Sequence, residues 1–151
     1  MSILLSHLQA ECACAEALLE AMDQEQAAMA EGRFAELDAL SAGKVVLLER
    51  MAELDLQREA VQMALGFGPG RAGADAAAAA SGEAALGAWA ELLVLAERAR
   101  ARNRRNGSMV SAHLDFTQKA LHFLHAARQP FYGPDGIRRA ASGVGTRLGL
   151  G

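Results

Sequence analysis

The residues of this chain with the chemistry for catalysis are few, and their spacing keeps most of them apart. Cys12 and Cys14 are the only cysteines; two residues apart on a helix they point about 200° away from each other and cannot bridge without breaking it. A reduced compartment is the simpler expectation. His122, His125 and Asp115 share one helical face at a spacing that could just ligate a metal, but His113 points to the opposite side from His122, which excludes a three-histidine site on one helix. Two histidines and a distant carboxylate are ordinary surface residues, so no metal ligand is assigned. No Gly-x-Ser-x-Gly elbow is present. Gly66-Phe-Gly-Pro-Gly70 neither follows a strand pattern nor leads into Gly-Lys-Ser/Thr, and so is not a phosphate loop. These absences point away from an enzyme and from any cofactor.

Arg98, Arg100, Arg102, Arg104 and Arg105 form the one cluster that could meet phosphates. The formal net charge is −3, however, and residues 1–32 carry Glu11, Glu16, Glu20, Asp23, Glu25 and Glu31 with no Lys or Arg. An acidic first helix can neutralise part of the arginine run, so no nucleic-acid partner is expected. The N-terminus lacks a basic region followed by an unbroken apolar run, and nowhere are there enough consecutive apolar residues for a membrane span. The reading is therefore of a protein with neither signal peptide nor membrane insertion.

The elements that would carry these residues are helical. The chain is rich in Ala, Leu, Glu and Arg, and only Pro69, Pro130 and Pro134 interrupt it. Apolar residues at Leu5, Leu8, Cys12, Ala15, Leu19, Met22 and Met29 alternate steps of three and four, the seam of an amphipathic helix over residues 2–31. Gly32 breaks it. A second seam through Leu37, Leu40, Lys44, Leu47, Met51, Leu54, Arg58, Val61 and Leu65 predicts a helix over 34–65, antiparallel to the first and the strongest heptad in the chain. Residues 66–82 are Gly- and Ala-rich and are expected to be a mobile loop in which the alanines form at most a turn or two of helix, because so little side chain cannot offset its ordering entropy. A third helix over 83–128 carries the heptad lines Trp89, Ala96, Asn103, Val110, Thr117, Leu124 and Leu86, Leu93, Arg100, Gly107, Leu114, Leu121. Asn106-Gly107 is a turn signal, yet the seam keeps its phase across it, so the helix is read as unbroken.

The expected architecture is an all-α, elongated antiparallel bundle of three long helices with coiled-coil-like packing, a helical domain over 1–130 and a flexible C-terminal tail over 131–151. Lys44, Arg58 and Asn103 occupy seam positions, where a polar group costs stability but fixes register. On the third helix a separate stripe, about 120° from the core seam, runs from Arg98, Arg102 and Arg105 into Met109, Ala112, Phe116, Ala120, Phe123 and Ala127. A helix with two apolar faces has one too many for a three-helix bundle, and the spare face fits helix-on-helix capture of a partner, with Met109, Phe116 and Phe123 as adaptable anchors. A structural coiled coil that self-associates through the same stripe is the competing reading.

Gly32 as a hairpin break, Lys44 and Arg58 in the second seam, Trp89 opening the third, Asn103-Arg-Arg-Asn106-Gly107 and then Tyr132-Gly-Pro-Asp-Gly136 stand together in one order. In this the chain resembles the FlgN family of flagellar export chaperones, over nearly its whole length apart from the Ala/Gly-rich insert and the last residues. The resemblance implies a cytoplasmic, type III flagellar export chaperone without catalysis. Such a protein would bind the C-terminal segments of the hook–filament junction (hook-associated) proteins, prevent premature assembly and deliver them to the export gate. It also implies substrate binding towards the C-terminal part and gate docking through Tyr132, Gly133, Asp135 and Gly136, with Asn103, Asn106 and Gly107 as family-motif residues.

Overall fold

The computed structural model describes residues 2–128, with side chains described through His125. Among the described residues every regular element is helical: α1 (Ile3–Ala30), a 3₁₀ turn (Phe34–Glu36), α2 (Leu37–Ala64), α3 (Gly70–Ala80) and α4 (Glu83–Arg128). Residues 1–107 form one compact unit, and the rest of α4 belongs to a second.

The local chemistry sets the ends. Ser2 caps α1, its hydroxyl oxygen accepting from the Leu5 N–H at 3.0 Å. At the other end the Arg33 N–H returns to the Ala28 carbonyl at 2.8 Å and the Gly32 N–H to the Met29 carbonyl at 3.3 Å. This closure needs a left-handed residue, and Gly32 supplies it at φ 74°. Gly66, at φ 93°, ends α2 in the same way, with the Phe67 N–H on the Gln62 carbonyl.

Residues 70–80 lie in the segment expected to be a loop and add a fourth helix to the three expected. They form α3, with Gly73, Ala74, Ala77 and Ala78 buried on one face. Alanine is the best helix former, and what α3 lacks in side-chain bulk is made up by the larger residues of α1 and α4 that share its core. A Cβ at Gly73 would lie 1.6 Å from the Gly68 carbonyl oxygen, so only glycine fits there. Low complexity does not mean low burial when the neighbours supply the volume.

The core of the first unit centres on α1. Leu4, Leu8, Cys12, Ala15, Leu18, Leu19 and Met22 pack with Ala74, Ala77 and Ala78 of α3 and with Ala85, Trp89, Leu92, Leu95 and Ala99 of α4. α2 runs antiparallel to α1, pairing Glu25 with Lys44 and Glu11 with Arg58. Its seam faces inward but shallowly: Leu47, Met51 and Val61 are partly buried, and only Leu54, Arg58 and Gln62 are fully so. Leu65, assigned to that seam, is exposed, as are Val45, Val46, Leu48, Leu56 and Met63. The most regular heptad thus makes the least buried helix, because regular spacing measures a direction and not the depth of the neighbour that meets it.

Candidate partner-binding surface

Polar groups from all four α-helices meet inside the first unit. Arg58 Nε donates to Glu11 Oε2 at 2.6 Å and its Nη1 to Gln62 Oε1 at 3.0 Å, while Nη2 pairs with Asp55. Its guanidinium lies over the Trp89 ring, 5.0 Å from the centroid. Gln62 in turn donates to the Gly68 carbonyl at 2.7 Å and the Gly70 carbonyl at 3.2 Å, holding the entry to α3. Trp89 Nε1 donates to Asp75 Oδ1 at 2.6 Å, which ties α3 to α4. Glu11 is 2% exposed. Burial pushes its carboxyl up from 4.5 to about 7, against the opposing pull of the Arg58 charge and hydrogen bond.

A second polar cluster joins the same unit near the chain's Asn-x-x-Asn-Gly motif. Asn106, 3% exposed, donates from Nδ2 to the Met22 carbonyl at 2.7 Å and to Glu25 Oε1 at 3.2 Å. Lys44 Nζ reaches the same Glu25 oxygen at 3.1 Å and Asn103 Oδ1 at 3.4 Å. Of the arginine run, Arg102 and Arg105 pair with Asp23 on α1 at 3.4 and 3.5 Å, and Arg100 pairs with Glu97. Part of that run is thus neutralised by the acidic first helix. Gly107 lies within α4, and the helix continues through the Asn-Gly pair.

The cysteines take up two sides of α1. Cys12 Sγ approaches the Ala88 carbonyl of α4 and Cys14 Sγ the Leu47 carbonyl of α2, each at 3.5 Å. Both are buried and free, so Cys14, placed off the seam by the sequence pattern, faces a neighbour after all. Desolvation raises both thiols, Cys12 to about 11, and keeps them protonated and unreactive. Among the described residues no group of His, Cys, Asp and Glu is placed to hold a metal ion.

Beyond Gly107 the helix has another character. Phe116 is 69% exposed and Phe123 72%; Ala112 is exposed, and Met109 and Ala120 are half-buried. Ala127 is within α4, but its side chain lies outside the described residues, as do Tyr132, Gly133, Asp135 and Gly136. The seam positions expected to continue the core, Val110, Leu114, Leu121 and Leu124, are exposed as well. They need an apolar neighbour to be buried, and periodicity alone cannot provide one.

A family model described as FlgN protein matches residues 1–139. The chain belongs to the FlgN family. The flagella synthesis protein FlgN of Yersinia enterocolitica is 36% identical over 63 residues, 41% of this chain and 43% of the relative. The same protein from the serotype O:8 / biotype 1B strain gives the same figures. The matched segment therefore spans less than half the length of these curated relatives. No solved structure matches. In this FlgN-family chain no helix among the described residues is long and apolar enough to cross a membrane.

Sequence reasoning found Lys44 and Arg58 but not their partners. Leu4, Glu11, Leu18 and Glu25 form a heptad line of their own on α1, in which the two acids stand two heptads apart, as Lys44 and Arg58 do on α2. Antiparallel packing brings the two spacings into coincidence. Gln62 carried no comparable signal.

Proposed function

We propose that this FlgN-family chain is a cytoplasmic, non-enzymatic flagellar export chaperone that binds the C-terminal segments of hook–filament junction proteins. It keeps them unassembled and delivers them to the export gate. The observation that supports this most is the exposure of Phe116 and Phe123 on a helix whose family is tied to flagellar synthesis by the names of its relatives. An exposed apolar stripe in water favours a partner that covers it, and Met109, Ala112, Phe116, Ala120, Phe123 and Ala127 are the contact residues in this reading. The Tyr132, Gly133, Asp135 and Gly136 segment is the gate-docking element. Lys44, Arg58, Asn103 and Asn106 set helix register, so that substrate binding and internal packing use separate residues; Gly107 completes the family motif beside them.

Calorimetric titration of the full chain with the C-terminal segment of a hook–filament junction protein from the same organism tests the proposal. Saturable one-to-one binding is expected, lost in the Phe116→Ala/Phe123→Ala double variant and retained in Tyr132→Ala. No binding at high micromolar concentration would sink it. A second reading, self-association as a structural coiled coil, is favoured by the exposed Val45, Leu48, Leu56 and Met63 along one side of α2. Light scattering that shows a stable oligomer indifferent to the junction-protein segment would establish it instead.

A further inference from the structure

α3 is held in the first unit differently from α1 and α4. Its only side chains larger than alanine are Arg71 and Asp75, and both are exposed. The face it buries consists of Gly73, Ala74, Ala77 and Ala78. It therefore adds nothing larger than a methyl group to the core, to which α1 and α4 bring leucines and Trp89. The free energy that keeps an element in place grows with the apolar surface it buries, and elements with little of it open before the rest of a fold does.

A small set of polar tethers fixes α3 instead. Gln62, fully buried, donates to the Gly68 and Gly70 carbonyls at 2.7 and 3.2 Å, and Glu59 Oε2 accepts from the Gly70 N–H at 2.9 Å. Arg58 Nη1 holds Gln62 in place through its Oε1 at 3.0 Å. Further along, Asp75 accepts from Trp89 Nε1 at 2.6 Å, and the Arg71 guanidinium lies 5.9 Å from the centroid of the same ring. Bonds of this kind contribute little net stability, because water can take the place of either partner once both are free.

The two ends of the helix are able to turn. Gly70 stands at φ 73° and Gly82 at φ 106°, and a Cβ at either position would meet nothing within 4 Å. Glycine passes between left- and right-handed conformations at little steric cost, and residues at element ends that absorb such changes act as hinges. Gly73 fits closely against the Gly68 carbonyl, which makes the closed position a defined one.

We propose that α3 is a hinged cover that leaves and returns to the Trp89 end of the core as one body, turning at Gly70 and Gly82 and held shut by Gln62 and Asp75. Closed, it completes the core that it shares with Leu4, Leu8, Ala85 and Trp89. Open, it bares Trp89 and the apolar residues around it, a surface that exists for only part of the time. The inference is independent of what α4 binds beyond Gly107.

Amide hydrogen exchange of the full chain tests it, read as protection factors for residues 74–81 against residues 8–22 of α1. In the unmodified chain residues 74–81 should share one protection level, at least about tenfold below that of α1. Gln62→Leu cuts the tether at the entry to α3, and Asp75→Ala cuts the one to Trp89. Each should lower protection across all of residues 74–81 about fivefold or more, with α1 changing by less than about twofold. If circular dichroism shows Gln62→Leu to be unfolded, Glu59→Ala takes its place as the entry variant with the same expectation. Acrylamide quenching of Trp89, the only tryptophan, should rise in the entry variant. Protection of residues 74–81 equal to that of α1 would overturn the inference, as would a loss confined to the turn beside each altered residue or one shared equally by α1. Trp89 quenching that stays constant while α3 loses protection would also overturn it.

Discussion

The two parts of this chain invert the usual placement of residue types. In the first unit Glu11, Glu25, Arg58, Gln62 and Asn106 are buried, none more than 8% exposed. From residue 108 on, Phe116, Phe123, Leu114 and Leu121 face outward. The polar groups are inside because each has a partner there: Arg58 for Glu11 and Gln62, Lys44 and Asn106 for Glu25. The apolar groups are outside because none of the described side chains buries them. What decides burial is whether a complementary neighbour exists, and residue type is only a guide to which neighbour is needed.

The contrast can be broken most forcefully at its centre. Arg58→Leu leaves Glu11 buried without its charge partner, and it should destabilise the fold by about 3–5 kcal/mol at pH 8 in urea denaturation. A loss below about 1 kcal/mol would mean that the interior pair behaves like a surface one.

The next effect in size is the pH dependence set by Glu11. Its carboxyl titrates at about 7 in the folded chain against an ordinary 4.5, so the folded state holds a proton that the unfolded state releases. The associated stability is fully present below about pH 4.5 and is lost as the pH rises through about 7. Over that window the unmodified chain should lose roughly 3 kcal/mol relative to Glu11→Gln, which has no such proton to give up. Denaturation midpoints compared at pH 5 and pH 8 check it, and parallel curves for the two proteins would refute the assignment.

At the small end stands the outer stripe. Phe116→Ser/Phe123→Ser should change stability by less than about 0.5 kcal/mol, as expected for exposed positions, while abolishing partner binding. A larger loss of stability would show that the stripe is an internal packing surface, and the inversion between the two regions would disappear.

The sequence made the helical class legible through its three-and-four spacing and its scarcity of proline. It made α3 hard to read, because its buried face of Gly73, Ala74, Ala77 and Ala78 has helical spacing but side chains too small to announce a core. Ala74, Ala77 and Ala78 share one core with Trp89 and larger residues of α1, which are distant in sequence. Lys44 and Arg58 were visible as misfits in an apolar seam, whereas their partners were masked by the abundance of acids on α1. The face carrying Phe116 and Phe123 was readable as surplus, since one helix cannot bury two apolar stripes against a single neighbour. That the Leu114 and Leu121 line would share the same exposure was not readable, because a heptad looks the same whether its line is buried or exposed.

Cys12 and Cys14 give the molecule a pair of built-in reporters. One thiol is closed off by α4 and the other by α2, so each is accessible to an alkylating reagent only when its own helix contact opens. Their separate labelling rates would measure how often α1 parts from each neighbour. A substrate that tightens one contact and not the other would therefore leave its signature on a single sulfur.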